Sequence, residues 1–450
     1  MELNFYGAAQ EITGSNFLLQ SGDAKILIDC GLFQGSHYCE ELNFKPFPYN
    51  PKEIQAVLIT HAHLDHIGRL PKLYKDGFRG KIYSTPPTKD LAEFVLLDAA
   101  GLLKNEAEKF NQEILYDSND ILEVMKIWEK RKYHEKIQIG PFTAEFFDAG
   151  HILGSSFVVI EVEGKKIVFS GDLGNFPEPL IKKTETVDYA DYVLIDSTYG
   201  DTIHENLSIR KDMLEDAIEE TIKDGGVLMI PSFAMERTQE LLFELNELIK
   251  NQRIPKIPIF IDSPLAIKLT SIYEKYSLNA EYFNQEEIKI QKTQDLFNFE
   301  GLKMTLTTNE SKAINDVPAP KIIVAGSGMS NGGRILHHER RYLSDPRSMI
   351  LFIGYQAKGT LGRQILDGVK NVKIFDENIE VKCKVKNISG YSAHADQNQL
   401  LQWLNPMRLS LQKIFAIHCE PERGEKFIQV IKDNLAINAI MPGLNDKFIL

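Results

Sequence analysis

The sequence has few of the residues that mark secreted or disulfide-bonded chains. Its 450 residues include four cysteines (Cys30, Cys39, Cys383 and Cys419), and no two of them form a C-x-x-C pair. So sparse a set predicts no disulfide framework and favours a reducing compartment. The N-terminus, from Met1 to Phe5, has neither a basic region nor an apolar run long enough for a signal peptide or a membrane span. We therefore expect a cytoplasmic protein with no membrane partner.

An excess of positive charge is also lacking. Lys and Arg number 51 against 63 Asp and Glu, so the formal net charge is −12. This balance argues against a chain coated in basic residues that binds polyanions without specificity. It does not exclude a nuclease, because bound metal ions would cancel the charge of ligand carboxylates and an active-site groove needs only a local basic lining.

The order of predicted elements indicates two domains, which the chain length also favours. Strand patterns dominate the first 200 residues, and the short apolar run 56–60 ends directly before His61. After Asp201 the pattern changes to strand–loop–helix alternation, as in strand 227–230 and the helix from about Met235 to Lys250. From about residue 371 hairpin-like patterns return. The simplest arrangement is an α/β domain inserted late into a strand-rich domain.

The strongest local signal is the run His61-Ala62-His63-Leu64-Asp65-His66. Zinc binds neutral imidazole nitrogen and carboxylate oxygen, and this run offers three imidazoles and one carboxylate after a strand. His151 and Asp172 follow two other predicted strands. A single strand-end Asp is usually a turn former, but beside this cluster Asp172 could bridge two cations. A single structural ion, or histidines held by ordinary hydrogen bonds, are the alternatives.

The His-x-His-x-Asp-His pattern resembles the motif of the metallo-β-lactamase superfamily. Asp29, His151 and Asp172 stand where that family has its other motifs. The resemblance implies an αββα sandwich with metal ions at one edge of its sheets. It does not choose a substrate, because the superfamily includes lactamases, thioester hydrolases and nucleases.

Three later motifs resemble motifs A, B and C of the β-CASP nucleases, a branch of that superfamily with an inserted domain. They are 196–200, 392–396 and 417–421, and the segments 231–240, 326–329 and 354–363 also resemble β-CASP segments. The resemblance implies an α/β fold, an αββα sandwich with an inserted parallel α/β domain. The expected divisions are 1–205 and 369–450 for the sandwich and 206–368 for the insert. RNA-directed members of this branch carry His at motif C, whereas DNA-processing members tend to carry an aliphatic residue. Because this chain has His418, the resemblance favours RNA over DNA.

From these residues we form the hypothesis of a two-zinc enzyme that hydrolyses single-stranded RNA. One Zn²⁺ would be bound by His61, His63, His151 and Asp172, and the other by Asp65, His66, Asp172 and His418. A hydroxide between the two ions would attack phosphorus and give 5′-phosphate and 3′-hydroxyl ends. Asp65, His394 and Asp196 are assigned to catalysis, with Asp196 orienting His394 as the acid that protonates the 3′ oxygen. Asp29 is expected to orient a ligand imidazole.

Candidate phosphate contacts follow from charge and motif position alone. They are Arg237, Gly328, Arg334, Lys358 and Arg363. The Gly-rich run 326–333 could cradle a phosphate or form a plain tight turn. His337 and His338, which lie outside the motifs, are interpreted as surface or groove residues. A narrow cleft that excludes stable duplex would restrict the enzyme to single strands.

Two other functions compete with this hypothesis. One is a metallo-hydrolase of a small ester or lactam, against which the inserted domain and motifs A to C count. The other is a non-catalytic RNA-binding subunit, against which the full set of candidate ligands counts. The sequence leaves open whether cleavage is endonucleolytic or exonucleolytic, whether manganese or iron replaces zinc, and whether the chain forms a homodimer.

Overall fold

The computed structural model describes residues 1–35, 41–110, 113–204, 207–285, 295–357 and 359–450. The chain divides into two compact units. The first comprises Met1–Ile203 together with His394–Leu450, and the second is His204–Ala393. The second unit is therefore inserted into the first along the chain.

The first unit contains fourteen strands and six helices within the residues described, with 3₁₀ turns between them. Its strands are β1 (Glu2–Phe5), β2 (Phe17–Ser21), β3 (Ala24–Ile28), β4 (Ala56–Leu58), β5 (Lys81–Ser84), β6 (Trp128–Lys130), β7 (Ile137–Ile139), β8 (Phe142–Asp148), β9 (Ser156–Val162), β10 (Lys165–Phe169), β11 (Tyr192–Asp196) and, after the insert, β20 (Lys413–Ile417), β21 (Ala439–Ile440) and β22 (Lys447–Ile449). Its helices are α1 (Leu64–Ile67), α2 (Leu70–Lys75), α3 (Pro86–Phe110), α4 (Ser118–Ile127) and, after the insert, α11 (Gln397–Leu404) and α12 (Pro421–Leu435).

The fourteen strands form two seven-stranded sheets, with the orders β22-β1-β2-β3-β4-β5-β6 and β21-β20-β11-β10-β9-β8-β7. Aromatic side chains join the two sheets, since the ring centroids of Phe5 and Phe415 lie 5.3 Å apart and those of Phe17 and Phe169 lie 6.4 Å apart. On the other face of the second sheet, Trp403 of α11 and Phe427 of α12 are buried in one apolar cluster. Helices α3 and α4 contact β6 and β5 of the first sheet, so helix, sheet, sheet and helix follow one another as layers, as in an αββα sandwich.

Strand β11 of the second sheet is buried on both of its faces. All five residues of β11 are buried, as expected for a strand that pairs in parallel with β10 on one side and β20 on the other. Glu163 and Gly164, both with positive φ, form the two-residue turn between β9 and β10. Because β8 and β10 are both antiparallel to β9, they run in the same direction. The carboxyl ends of β8, β10, β11 and β20 therefore lie at one edge of the sheet.

The second unit contains eight strands and six helices within the residues described. The strands are β12 (Val227–Pro231), β13 (Ile259–Ile261), β14 (Leu302–Met304), β15 (Lys321–Ala325), β16 (Met349–Phe352), β17 (Asn371–Ile374), β18 (Glu377–Glu380) and β19 (Lys384–Asn387). The helices are α5 (Leu207–Asp224), α6 (Arg237–Lys250), α7 (Pro264–Tyr276), α8 (Thr308–Ala313), α9 (Ile335–Tyr342) and α10 (Leu361–Leu366).

Six of these strands form a parallel sheet in the order β14-β13-β15-β12-β16-β19, and β17 and β18 form a separate hairpin. Strand β19 pairs in parallel with β16. Residues 369–393, which the sequence analysis assigned to the last part of the sandwich, consequently lie in the second unit. The expected end of the insert at 368 therefore lies before the end of the second unit at Ala393. No pattern in the sequence indicates that β19 pairs with β16.

None of the helices in the described ranges is both long enough and apolar enough to cross a membrane.

Candidate metal centre and active site

The candidate site lies in the first unit, where several strands end. His61 and His63 follow β4, and Asp65 and His66 belong to the short helix α1 that comes next. Three further residues follow strands of the other sheet: His151 after β8, Asp172 after β10 and His418 after β20. The two sheets of the sandwich thus both contribute side chains to one place.

The first group of donor atoms consists of three imidazoles and one carboxylate. Nδ1 of His63 lies 3.0 Å from Nε2 of His61 and 3.2 Å from Nε2 of His151. Oδ2 of Asp172 lies 3.4 Å from Nε2 of His61 and 3.5 Å from Nε2 of His151. These four residues form a group that could hold a metal ion.

The second group uses the other oxygen of the same carboxylate. Oδ1 of Asp172 lies 3.3 Å from Nε2 of His66 and 3.6 Å from Nε2 of His418. Oδ2 of Asp65 lies 3.2 Å from Nε2 of His418 and 3.7 Å from Nε2 of His66. Asp65, His66 and His418 form a second group that could hold a metal ion. Asp172 therefore has one oxygen in each group.

These spacings fit a metal ion in each group. A tetrahedral ion with bonds of about 2.0–2.1 Å to nitrogen and oxygen places neighbouring ligand atoms about 3.3–3.4 Å apart. The distances in the first group run from 3.0 to 3.5 Å and those in the second from 3.2 to 3.7 Å. Imidazole and carboxylate are also the donor types that zinc and related divalent ions bind in proteins.

Asp29 fixes the orientation of two of these imidazoles. Its Oδ2 lies 2.7 Å from Nδ1 of His66 and accepts a 2.8 Å hydrogen bond from the hydroxyl of Thr60. A carboxylate only accepts, so Nδ1 of His66 carries a proton, and in the neutral ring Nε2 presents its lone pair to the second group. Since the Thr60 proton points to Asp29, its oxygen accepts from Nδ1 of His61, 3.0 Å away. His61 therefore also presents Nε2.

Asp196, the last residue of β11, repeats this arrangement on the other side of the site. Its Oδ1 accepts a 2.6 Å hydrogen bond from the hydroxyl of Thr198, whose oxygen lies 2.9 Å from Nδ1 of His418. Its Oδ2 lies 3.0 Å from Nδ1 of His394. That nitrogen is also 4.0 Å from Oδ2 of Asp172, so His394 adjoins both donor groups. Thr60 and Thr198, which the sequence analysis did not assign to the site, are thus the links between a carboxylate and a ligand imidazole.

One close backbone approach holds His394 and His151 together. Gly174 forms a β-bridge with His394. A Cβ at Gly174 would lie 1.7 Å from the carbonyl oxygen of Gly150 and 2.7 Å from the amide nitrogen of His151. Position 174 therefore requires glycine, because any side chain would separate the two loops.

The histidines differ in their affinity for protons. Burial, with the neighbouring imidazole of His61, lowers the pKa of His63 to about 3, and burial likewise lowers the pKa values of His61 and His151. Burial also opposes charge on His418, but Asp172 and Asp65 outweigh it and raise its pKa to about 9. The imidazoles of the first group are therefore neutral at pH 7, which is the form that binds a metal ion.

His394 has a raised pKa for a comparable reason. Burial disfavours its charged form, and the adjacent carboxylate of Asp196 outweighs that effect. The pKa of Asp196 is lowered in turn: burial raises it, but the charge of His394 more than compensates. Each member of the pair therefore favours the charged form of the other.

The candidate phosphate contacts belong to the second unit. Arg237 is buried and its guanidinium is ion-paired with Glu240, so it does not face an open surface. Arg334 binds Oδ1 of Asp262 at 2.8 Å. Gly328 is buried. Arg363 is partly exposed and forms an ion pair with Asp367 at 2.9 Å. Lys358 lies outside the described residues.

Family models match three parts of the chain. The model of the metallo-beta-lactamase superfamily matches residues 11–211, and that of the Beta-Casp domain matches residues 238–365. The third model, a Zn-dependent metallo-hydrolase RNA specificity domain, matches residues 378–442.

Curated relatives match along most of the chain. Ribonuclease TTHA0252 of Thermus thermophilus is 39% identical over 93% of this chain and 93% of its own length. An RNase J-like protein of Methanocaldococcus jannaschii is 32% identical over 98% of this chain and 97% of its own length. The transcription termination factor FttA of Methanosarcina mazei is 33% identical over 92% of this chain, which spans 66% of that protein.

A solved structure shows the same fold at low identity. It is a protein of unknown function from Enterococcus faecalis, which aligns over 100% of this chain and 99% of its own with a TM-score of 0.56 and 13% identity. The family models and the curated relatives lead to one assignment, with which the donor groups around Asp172 agree. The chain belongs to the metallo-β-lactamase superfamily of divalent-metal hydrolases, in the β-CASP branch that includes ribonucleases.

Proposed function

We propose that this protein is a two-zinc phosphodiesterase that hydrolyses single-stranded RNA and leaves 5′-phosphate and 3′-hydroxyl ends. The observation that carries the proposal is the position of Asp172, whose two oxygens belong to two different donor groups. Two ions that share a carboxylate are held close together, and such pairs are typical of enzymes that cleave phosphate esters.

The residues of the first unit would hold both ions. His61, His63, His151 and one oxygen of Asp172 would bind the first Zn²⁺, while Asp65, His66, His418 and the other oxygen would bind the second. Zinc bound in this way lowers the pKa of a coordinated water to about 7 and so supplies a nucleophile at neutral pH. In the neutral rings that bind metal, Thr60 and Thr198 would accept from Nδ1 of His61 and His418 and so leave Nε2 of each ring to bind an ion.

His394 would act as the general acid. Asp196 Oδ2 lies 3.0 Å from its Nδ1 and raises its pKa against the effect of burial, which favours the charged ring whose Nε2 has a proton to donate. When water attacks phosphorus, the bond from phosphorus to the 3′ oxygen breaks, and His394 gives its proton to that oxygen. The products are then a 5′-phosphate and a 3′-hydroxyl, and the 2′-hydroxyl takes no part.

The choice of RNA is supported by the relatives, two of which are named as ribonucleases, and by His418 at motif C. Arg334 and Arg363 stay proposed phosphate contacts, because both have partly exposed side chains. We place the enzyme in the cytoplasm on the strength of its sparse cysteines alone.

The test is cleavage of single-stranded RNA labelled at either end, with matched single-stranded DNA and duplex RNA beside it. We expect RNA products with 5′-phosphates and a loss of cleavage in His394→Ala. A chromogenic carboxylic ester provides the comparison with a small-ester hydrolase. If the zinc-loaded protein leaves RNA intact and hydrolyses the ester, or if His394→Ala cleaves RNA as the parent does, the proposal is wrong.

A further inference from the structure

Phe233 is an aromatic side chain that stays partly exposed at the carboxyl edge of the second unit's parallel sheet. It comes two residues after β12 ends, and 39% of it is accessible. Its backbone is held, since its carbonyl accepts hydrogen bonds from the hydroxyls of Thr238 at 2.7 Å and Ser232 at 3.2 Å. The backbone at Phe233 is therefore held in place while part of its ring stays accessible.

The ring of Phe233 lies against two glycines from neighbouring loops. A Cβ at Gly328, which follows β15, would be 2.7 Å from the ring, and one at Gly354, which follows β16, would be 3.2 Å away. The buried amide of Gln356 donates to the carbonyls of both glycines, at 2.9 Å and 3.1 Å. Gly328 and Gly354 leave room for the ring because they lack side chains, and Gln356 links their carbonyls. We call these three residues the seat of the ring.

The seat lies beside two neighbouring strands, β12 and β16, whose onward connections run in opposite directions across the sheet. From β12 the chain continues to β13, which lies beyond β15 on one side, whereas from β16 it continues toward β19 on the other side. In open parallel sheets, ligands bind outside the carboxyl ends of strands at such a point. Phe233 follows β12 and Gly354 follows β16, so the ring and its seat mark this point.

We propose that Phe233 is a stacking platform for a nucleobase of single-stranded RNA, an inference that rests on the proposed function. Every base offers an aromatic face, so stacking gives affinity without sequence preference. It also requires no positive charge, which suits a chain with a net charge of −12. Loss of one stacked base is expected to weaken binding by about 5- to 150-fold.

The experiment measures equilibrium binding of a fluorescently labelled single-stranded RNA to the full chain carrying His394→Ala, so that cleavage does not interfere. Phe233→Ala and Phe233→Leu are compared with that parent. Leucine keeps an apolar side chain but has no aromatic face, so it separates stacking from packing. Phe375→Ala is the matched control, since Phe375 is 48% exposed in the same unit. Both Phe233 variants are expected to bind more weakly, whereas the control binds as the parent does.

Phe233→Trp adds a readout that a structural role would not change. The two native tryptophans, Trp128 and Trp403, are 2% and 4% exposed, so a new exposed tryptophan should be the one that RNA quenches. Unchanged affinity in Phe233→Leu, or no RNA-dependent quenching in Phe233→Trp beyond that of the parent, overturns the inference. If the parent binds no RNA and the native chain cleaves none, the proposed function fails as well, so the two failures can be told apart.

Discussion

Replacing Asp29 by asparagine should weaken one metal group and spare the other. Asp29 accepts three hydrogen bonds, from the amide and hydroxyl of Thr60, each at 2.8 Å, and from Nδ1 of His66 at 2.7 Å. Asparagine tolerates the φ of +58° at this position, so the backbone should stay in place. If the amide oxygen of the asparagine keeps the hydrogen bond from the Thr60 backbone amide, its NH₂ group faces the proton on Nδ1 of His66. His66 then protonates Nε2 instead and loses the lone pair that faces the second group.

The expected loss of zinc affinity follows from the effect of comparable hydrogen-bond partners at other metal sites. Removing the hydrogen-bond partner of a ligand histidine typically costs about 10- to 100-fold in metal affinity, or about 1.4–2.7 kcal/mol. The first group contacts Asp29 only through Thr60, whose hydroxyl can rotate, so its affinity should change less. We therefore expect one tight and one weakened zinc site in Asp29→Asn.

Competition with a chromophoric chelator measures both affinities. Asp191→Asn is the matched control, because Asp191 is also a buried carboxylate of the first unit but binds Lys165 Nζ at 3.1 Å and the Lys166 amide at 2.9 Å. Thermal unfolding of the metal-free variants checks that the fold is kept. Two equally tight sites in Asp29→Asn would refute the reasoning.

Three further predictions concern the same unit. Asp172→Asn should bind zinc more weakly in both groups, measured by the same competition, and a loss confined to one group would contradict a shared ligand. Asp196→Asn should move the alkaline limb of the pH–rate profile to lower pH: Asp196 raises the pKa of His394, whose protonated form is active below that pKa and is lost as pH rises through it. An unmoved limb would exclude His394 as the acid. Gly174→Ala should destabilise the fold by about 1–3 kcal/mol in denaturant unfolding, because its Cβ would overlap the Gly150 carbonyl, and wild-type stability would show that the loops can separate.

The positions of the metal-binding candidates could be predicted because they depend on local rules. Short apolar runs predicted β4, β11 and β20, and the residues that follow such strands meet at a sheet edge. His151 and His418 meet at the edge of the second sheet in this way, and His61 joins them from β4 of the first sheet. The family resemblance, which the comparisons confirm, supplied the sandwich and the insert.

Other features depend on contacts that no local pattern reveals. Thr60 and Thr198 link a carboxylate to an imidazole only in the folded loops. Because serine and threonine are common throughout the sequence, no local pattern singles these two out. Arg237 was chosen by charge, but α6 turns it toward Glu240 and the interior. His338 was interpreted as a surface or groove residue, which is wrong: it is buried, with Nε2 2.7 Å from Oδ2 of Asp262.

The central claim is that two metal ions act together, and stepwise reconstitution tests it most directly. Metal-free protein would receive zinc in increments while the rate of RNA cleavage and the bound metal are measured on the same samples. The account predicts that cleavage stays low through the first equivalent and reaches its maximum near two equivalents per chain. Full activity at one equivalent, or in the metal-free protein, would contradict it.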